Sequence, residues 1–127
     1  MVEVQLIGKF EIENKHLVKR NYEVSITTDC WMDTFINDEK FFSDWICPLE
    51  FFYQYLDWEK DFNNGLIHDF EYISDDNGEN PIFAFKHINN RWLTYSALTK
   101  KSSDFISINE ILDFFKSFEE QIFKHVK

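Results

Sequence analysis

His68-Asp69-Phe70-Glu71-Tyr72-Ile73-Ser74-Asp75-Asp76-Asn77-Gly78-Glu79-Asn80-Pro81-Ile82-Phe83-Ala84-Phe85-Lys86-His87 is the stretch that decides the fold. Two alternating apolar runs flank Asn77-Gly78, a dipeptide suited to a type I′ hairpin turn. With those residues at the turn, Phe70 opposes Phe85 and Tyr72 opposes Phe83 on one face. The remaining pairs are Ile73 with Ile82, Asp69 with Lys86 and His68 with His87. Like meets like and opposite charges meet, whereas a slip of one residue opposes Phe70 to Lys86. Pro81 is the residue that would force a longer first loop. Asn89-Asn90 suits a second tight turn into residues 91–98, which completes a three-strand meander.

Beyond the meander, Ser107-Ile108-Asn109-Glu110 reads as a capping box opening a helix. Ile108, Ile111, Leu112, Phe115, Phe118, Ile122 and Val126 then recur at helical spacing, and Lys124 and Lys127 suit the negative end of its dipole. Ahead of the meander, Pro48 suits the first turn of a helix running to about residue 60. Trp45, Leu49, Phe52 and Leu56 make one stripe and Phe51, Tyr55 and Trp58 another, so that helix is expected to be buried on two sides. Asn63-Asn64-Gly65 supplies residues tolerant of a left-handed cap.

At the N-terminus, Val2, Val4, Leu6, Phe10 and Ile12 alternate with polar residues, predicting a half-buried strand with Gly8 at a bulge or close approach. Asn14-Lys15-His16 reads as a turn. Tyr22, Val24 and Ile26 read as a second strand, and the alternation continues through Cys30, Met32 and Ile36 to Asn37-Asp38. The expected fold is therefore α+β: a mainly antiparallel sheet of five to six strands with two helices packed on it, in the order ββ(β)αβββα. A chain of 127 residues with fifteen Phe, five Tyr and four Trp, but three Gly and two Pro, is expected to fold as a single domain spanning 1–127.

The net charge is −10, and its placement matters more than its total. Residues 29–79 hold fourteen acids and two bases, a balance of −12, while the rest of the chain carries +2. Such a field repels nucleic acid and favours a basic protein or a cationic ligand, beside its plain effect on solubility. No basic start with an apolar block marks an export signal, and no apolar run approaches the ~20 residues that cross a bilayer. The cytoplasm is the expected location, with no membrane association. Cys30 and Cys47 have no CxxC pattern or nearby His, and read as small core residues.

Chemistry-bearing motifs do not emerge. There is no GxGxxG, P-loop, HExxH or GxSxG. Asp75-Asp76-Asn77-Gly78-Glu79 lacks the alternating oxygen ligands of a calcium loop. His68 opposite His87, with Trp92 nearby, would offer a metal two of its ligands and no identifiable third. The chain is therefore expected to be no enzyme and to hold no cofactor or metal.

Phe35-Ile36-Asn37-Asp38, Phe41-Phe42, Leu49-Glu50-Phe51-Phe52, Trp58, Asp69-Phe70-Glu71-Tyr72, Glu79-Asn80-Pro81, Phe85, and Trp92 with Ser96 carry a resemblance. From about residue 35 onward the chain resembles an uncharacterised family of small acidic bacterial domains of the kind found among polymorphic-toxin immunity proteins. Tyr95-Ser96-Ala97-Leu98 departs from that pattern, where a more polar, tryptophan-containing run is usual. Taken with the −12 stretch and the missing catalytic motifs, the immunity-type role that the resemblance implies leads to the expectation of a non-catalytic protein that neutralises a basic toxin domain, such as a nuclease, through an acidic patch. Asp57, Glu59 and Asp61 at the helix end, with Asp75, Asp76 and Glu79 at the hairpin tip, are the candidate contacts. The alternative from another class is a small-molecule or peptide-binding module with an aromatic pocket between helix and sheet.

Overall fold

The computed structural model describes residues 1–74 and 78–127. In chain order these form β1 (Val2–Ile7), α1 (Asn14–Val18), α2 (Tyr22–Ser25), β2 (Cys30–Ile36), β3 (Glu39–Ile46), α3 (Pro48–Asn63), β4 (Phe70–Tyr72), β5 (Phe83–Ile88), β6 (Arg91–Ser96), β7 (Lys101–Ser102) and α4 (Ile108–Phe123). The strands make two antiparallel sheets, β1-β2-β3 and β4-β5-β6-β7. The fold is α+β, as expected. The single sheet of five to six strands, the two helices and the order ββ(β)αβββα are corrected to seven strands in two sheets and four helices among the described residues.

The central register holds: Phe70 pairs with Phe85 and Tyr72 with Phe83. Asn89 and Asn90 adopt φ of 51° and 63°, the left-handed pair that a tight I′-type turn needs between β5 and β6. The Asn77-Gly78 turn includes Asn77, which lies outside the described residues. Ile73 and Ile82 do not pair, because the ladder stops at Tyr72 and Phe83. Instead the Gln54 side chain takes the Ile73 backbone, accepting from its N–H at 2.9 Å and donating to its carbonyl at 2.8 Å. Ile73 is left exposed while Ile82 is buried.

Residues 14–46 depart most from expectation. Tyr22, Val24 and Ile26 are not a strand. Asn21 caps α2 by accepting from the Val24 N–H at 3.2 Å, and Ser25 Oγ donates to the Tyr22 carbonyl at 2.8 Å. Such local side-chain bonds offer the backbone an alternative to a ladder. Asn14-Lys15-His16 likewise opens α1 rather than a turn. The alternation resumes at Cys30 as β2. Asn37 and Asp38, at φ of 50° and 68°, turn it back into β3, which the sequence reading missed. Trp45 consequently belongs to β3 rather than to a helical stripe, and is 59 % exposed. β1 ends before Gly8, whose φ of 129° an L-residue rarely adopts.

The helices behave largely as read. Ser107 and Glu110 form the capping box, with bonds of 3.1 Å in both directions. Pro48 opens α3 behind Cys47, and Gly65 follows its end at φ 84°. Leu112 is exposed, whereas Phe114 is fully buried. Buried residues of both sheets, α3 and α4 form one core cluster. Phe51 sits at its centre, with ring centroids 4.5 Å from Phe118, 5.0 Å from Tyr72 and 5.2 Å from Phe70. Tyr55 stacks on Phe115 at 4.3 Å, and Phe83 lies nearly parallel to Phe114 at 5.5 Å. Each such pair contributes roughly 0.5–1.5 kcal/mol beyond its buried area. The aromatic excess is thus mainly core.

α4 also closes one side of the first sheet. Gln121 accepts from the Leu6 N–H at 2.7 Å and donates to the Val4 carbonyl at 2.7 Å, along the outer edge of β1.

Candidate functional site

The polar face of α3 presents Glu50, Gln54, Asp57 and Asp61, which follow one another by four, three and four residues and so share one side of the helix. Beside it runs β4, where Phe70 and Tyr72 enter the core and the alternation turns Asp69, Glu71 and Ile73 the other way. Between the two lies an open groove of about 580 Å³, lined by these residues together with Tyr22, Tyr53, Trp58, His68 and Phe70. Five carboxylates therefore converge on one groove with aromatic walls: Glu50, Asp57, Asp61, Asp69 and Glu71.

Several of these groups also hold the groove in shape. Tyr53 is buried, and its hydroxyl donates to the His16 carbonyl at 2.7 Å and accepts from the Asn21 N–H at 3.0 Å, fastening α1 and α2 to α3. Arg20 binds Asp57 at 2.7 Å, and this bond raises the guanidinium further above its usual range. At the far end the two ring nitrogens of His68 each face an acceptor: Nδ1 lies 2.9 Å from the Asp69 carbonyl and Nε2 2.9 Å from Asp61 Oδ2. Only the imidazolium donates from both nitrogens. Its pKa is accordingly raised above 6.5, first by the Asp69 carbonyl and then by the Asp61 carboxylate, against a smaller opposing effect of burial. The indole N–H of Trp58 donates to the His68 carbonyl at 2.9 Å, fixing the same corner from below.

Of the six candidates read from the sequence, the structure brings together two, Asp57 and Asp61. Glu59 lies outside the groove and takes the Tyr55 hydroxyl, whose pKa is raised by burial and by that carboxylate. Glu79 is exposed in the segment before β5, outside the groove lining. Asp75 and Asp76 lie outside the described residues. The sequence reading missed Glu50, Asp69 and Glu71 as contacts. The signal was present, since the first shares helical spacing with Asp57 and Asp61, and the others alternate with Phe70 and Tyr72.

The expected pairing of Asp69 with Lys86 is replaced. Asp69 Oδ1 accepts from the His87 backbone N–H at 2.7 Å, and Lys86 Nζ lies 5.4 Å from the Tyr95 ring centroid. His87 packs on Trp92 at 4.7 Å, while His68 is held by Asp61 and Asp69. Among the described residues no group of three or more His, Cys, Asp or Glu side chains is placed to hold a metal ion. Cys30 and Cys47 are free, buried thiols, both pushed up to about 12 chiefly by burial. Cys47 precedes the first turn of α3, where the helix dipole favours a thiolate. Burial and the nearby Asp29 and Glu50 override that effect.

What the structure defines is a small α+β domain with an acidic, aromatic-walled groove. The chain belongs to the family described as Domain of unknown function (DUF7878), whose model matches residues 7–127. No curated protein and no solved structure matches it. Among the described residues no helix is long and apolar enough to cross a membrane.

Proposed function

We propose that this protein is a non-catalytic binding protein that captures a basic protein segment in the groove between α3 and β4. The observation that carries the reading is the convergence of Glu50, Asp57, Asp61, Asp69 and Glu71 on one open surface beside Tyr22 and Tyr53. Carboxylates clustered on one face steer a cationic partner and speed encounter, while tyrosines supply rigid amphipathic contact area. The finer form of the proposal is an immunity-type role, in which the partner is a basic toxin domain such as a nuclease. It is supported by the −12 balance of residues 29–79 and the family resemblance of the sequence.

The test is co-expression with the product of the neighbouring reading frame. That product is expected to be toxic alone, and to be rescued and co-purified by this chain. Glu50→Lys with Glu71→Lys, on a chain that still folds, is expected to weaken capture about tenfold or more, the scale on which removing one well-placed ion pair acts. Unchanged affinity in that double variant would remove the groove from the interface.

A further inference from the structure

Immediately beside the acidic groove lies a second cleft of about 560 Å³, built by α1, α2 and the link between them. Its lining holds Lys15, Lys19 and Arg20 and one acid, Glu23, and so is basic where its neighbour's is acidic, although Lys15 also bonds Glu13 at 3.0 Å and Arg20 bonds Asp57. Tyr22 belongs to both linings and is 61 % exposed at the boundary. Apolar side chains accompany each half. Val18, which ends α1 next to Lys19 in the chain, is 84 % exposed, and Ile73, 43 % exposed, lines the acidic side.

A surface divided into adjacent halves of opposite charge complements itself. A two-fold axis lying in the interface along the boundary carries each basic half onto the acidic half of the facing copy, because the rotation exchanges left and right as it turns the second face over. We propose that the occupant of this surface is a second copy of the chain, giving a symmetric dimer in which the Lys15, Lys19 and Arg20 side chains of one copy face the acidic groove of the other. Tyr22 and its counterpart meet near the axis. The Arg20–Asp57 bond sits at the same boundary, so each partner presents the groups needed to extend that pair into a four-membered cluster across it.

The net charge of −10 sets the conditions under which this dimer forms. Long-range repulsion between two acidic copies opposes association in very dilute salt, whereas attraction between oppositely charged halves acts over a few ångströms. Near 0.1 M salt, where charges beyond roughly 10 Å are screened, the local attraction prevails; near 1 M, with a screening length of about 3 Å, it fades. This reading stands apart from the foreign basic partner, which would compete for the groove.

Sedimentation equilibrium across a protein dilution series tests the proposal with the chain alone. The expected result is a species of twice the 15.4 kDa chain mass near 0.1 M salt, shifting to monomer near 1 M. Lys15→Glu with Lys19→Glu, and separately Glu50→Lys with Glu71→Lys, are each expected to raise the dissociation constant about tenfold or more. Mixing the two variants in equal amounts is expected to restore association, because each then offers the charge the other lacks. Circular dichroism and the thermal midpoint confirm that both variants are folded. A chain that stays monomeric at every concentration overturns the proposal. A dimer that either double variant leaves intact, or folded variants that stay monomeric when mixed, assigns association to another face and overturns it equally.

Discussion

Replacing Tyr53 with Phe removes one oxygen atom and leaves the ring, its packing and the helix propensity of α3 almost unchanged. The magnitude follows from what that oxygen does. It donates to the His16 carbonyl at 2.7 Å in a buried bond and accepts from the Asn21 N–H at 3.0 Å in a partly buried one. Both partners are backbone groups, so the substitution strands one buried acceptor and one half-buried donor. A stranded buried group costs about 1–3 kcal/mol, and the half-buried donor recovers part of its loss from water, so Tyr53→Phe is expected to cost about 2 kcal/mol. For a domain of this size that lowers the thermal midpoint by roughly 6–12 °C. Urea unfolding gives the free energy, with the slope expected to stay constant because the surface exposed on unfolding does not change. Amide exchange localises the effect, since Asn21 should lose protection while the α4 core keeps its own. A loss below about 0.5 kcal/mol would refute the idea that this hydroxyl fastens α1 and α2 to α3.

Thr34 and Thr94 are fully buried, and their hydroxyls have no hydrogen-bond partner among the described residues. Thr34→Val, in the row between Val4 and Phe42, is expected to raise stability by about 1 kcal/mol in urea unfolding, and a loss would contradict the placement. With both thiols pushed up to about 12, the thiolate fraction at pH 8 is on the order of one in ten thousand. A chromogenic disulfide reagent should therefore titrate Cys30 and Cys47 only after denaturation, and rapid reaction of the folded chain would count against their burial. The raised pKa of His68 means that its bonds to Asp61 and Asp69 stabilise the fold fully below about pH 6.5 and fade as pH rises through the folded value. His68→Gln should accordingly destabilise the chain at pH 5.5 more than at pH 8.5. An NMR titration placing the His68 pKa below 6.5 would refute the double-donor geometry.

Where local chemistry and long-range packing agree, the sequence was readable. The Asn89-Asn90 turn and the Ser107–Glu110 capping box rest on rules satisfied within a few residues, the Phe70–Phe85 register on matching apolar faces across two strands, and each stands in the structure. Tyr22, Val24 and Ile26 failed because the four-residue helix Tyr22–Ser25, a single turn, is too short to show a helical period that could compete with their alternation. What selects the turn is the Asn21 cap and the distant Tyr53 hydroxyl, and the latter lies 32 residues away in the chain. β3 was missed because Phe41-Phe42 and Trp45-Ile46 are adjacent apolar pairs, which blur alternation, and a bulge between Thr34 and Phe35 shifts its partner. The acidic character of the surface was visible as a charge balance, but the groove was not. It forms only where a helix face and an edge strand meet, and Asp69 and Glu71 were read as hairpin residues rather than as its wall.

Gln121 on the edge of β1 and Gln54 just past the end of β4 have a consequence for the crowded conditions in which proteins live. β1 and β4 each end a sheet, and an open strand edge invites pairing with any extended chain that passes. Gln121 occupies the Leu6 N–H and the Val4 carbonyl, and Gln54 occupies both backbone groups of Ile73. Each amide sets a donor and an acceptor against the backbone as a neighbouring peptide unit would, so at those two points an incoming strand finds the backbone groups already taken. Helix side chains thereby give the protection that charged residues, prolines or bulges give at other sheet margins. Beside the groove, the backbone at which β4 would be extended is closed in this way.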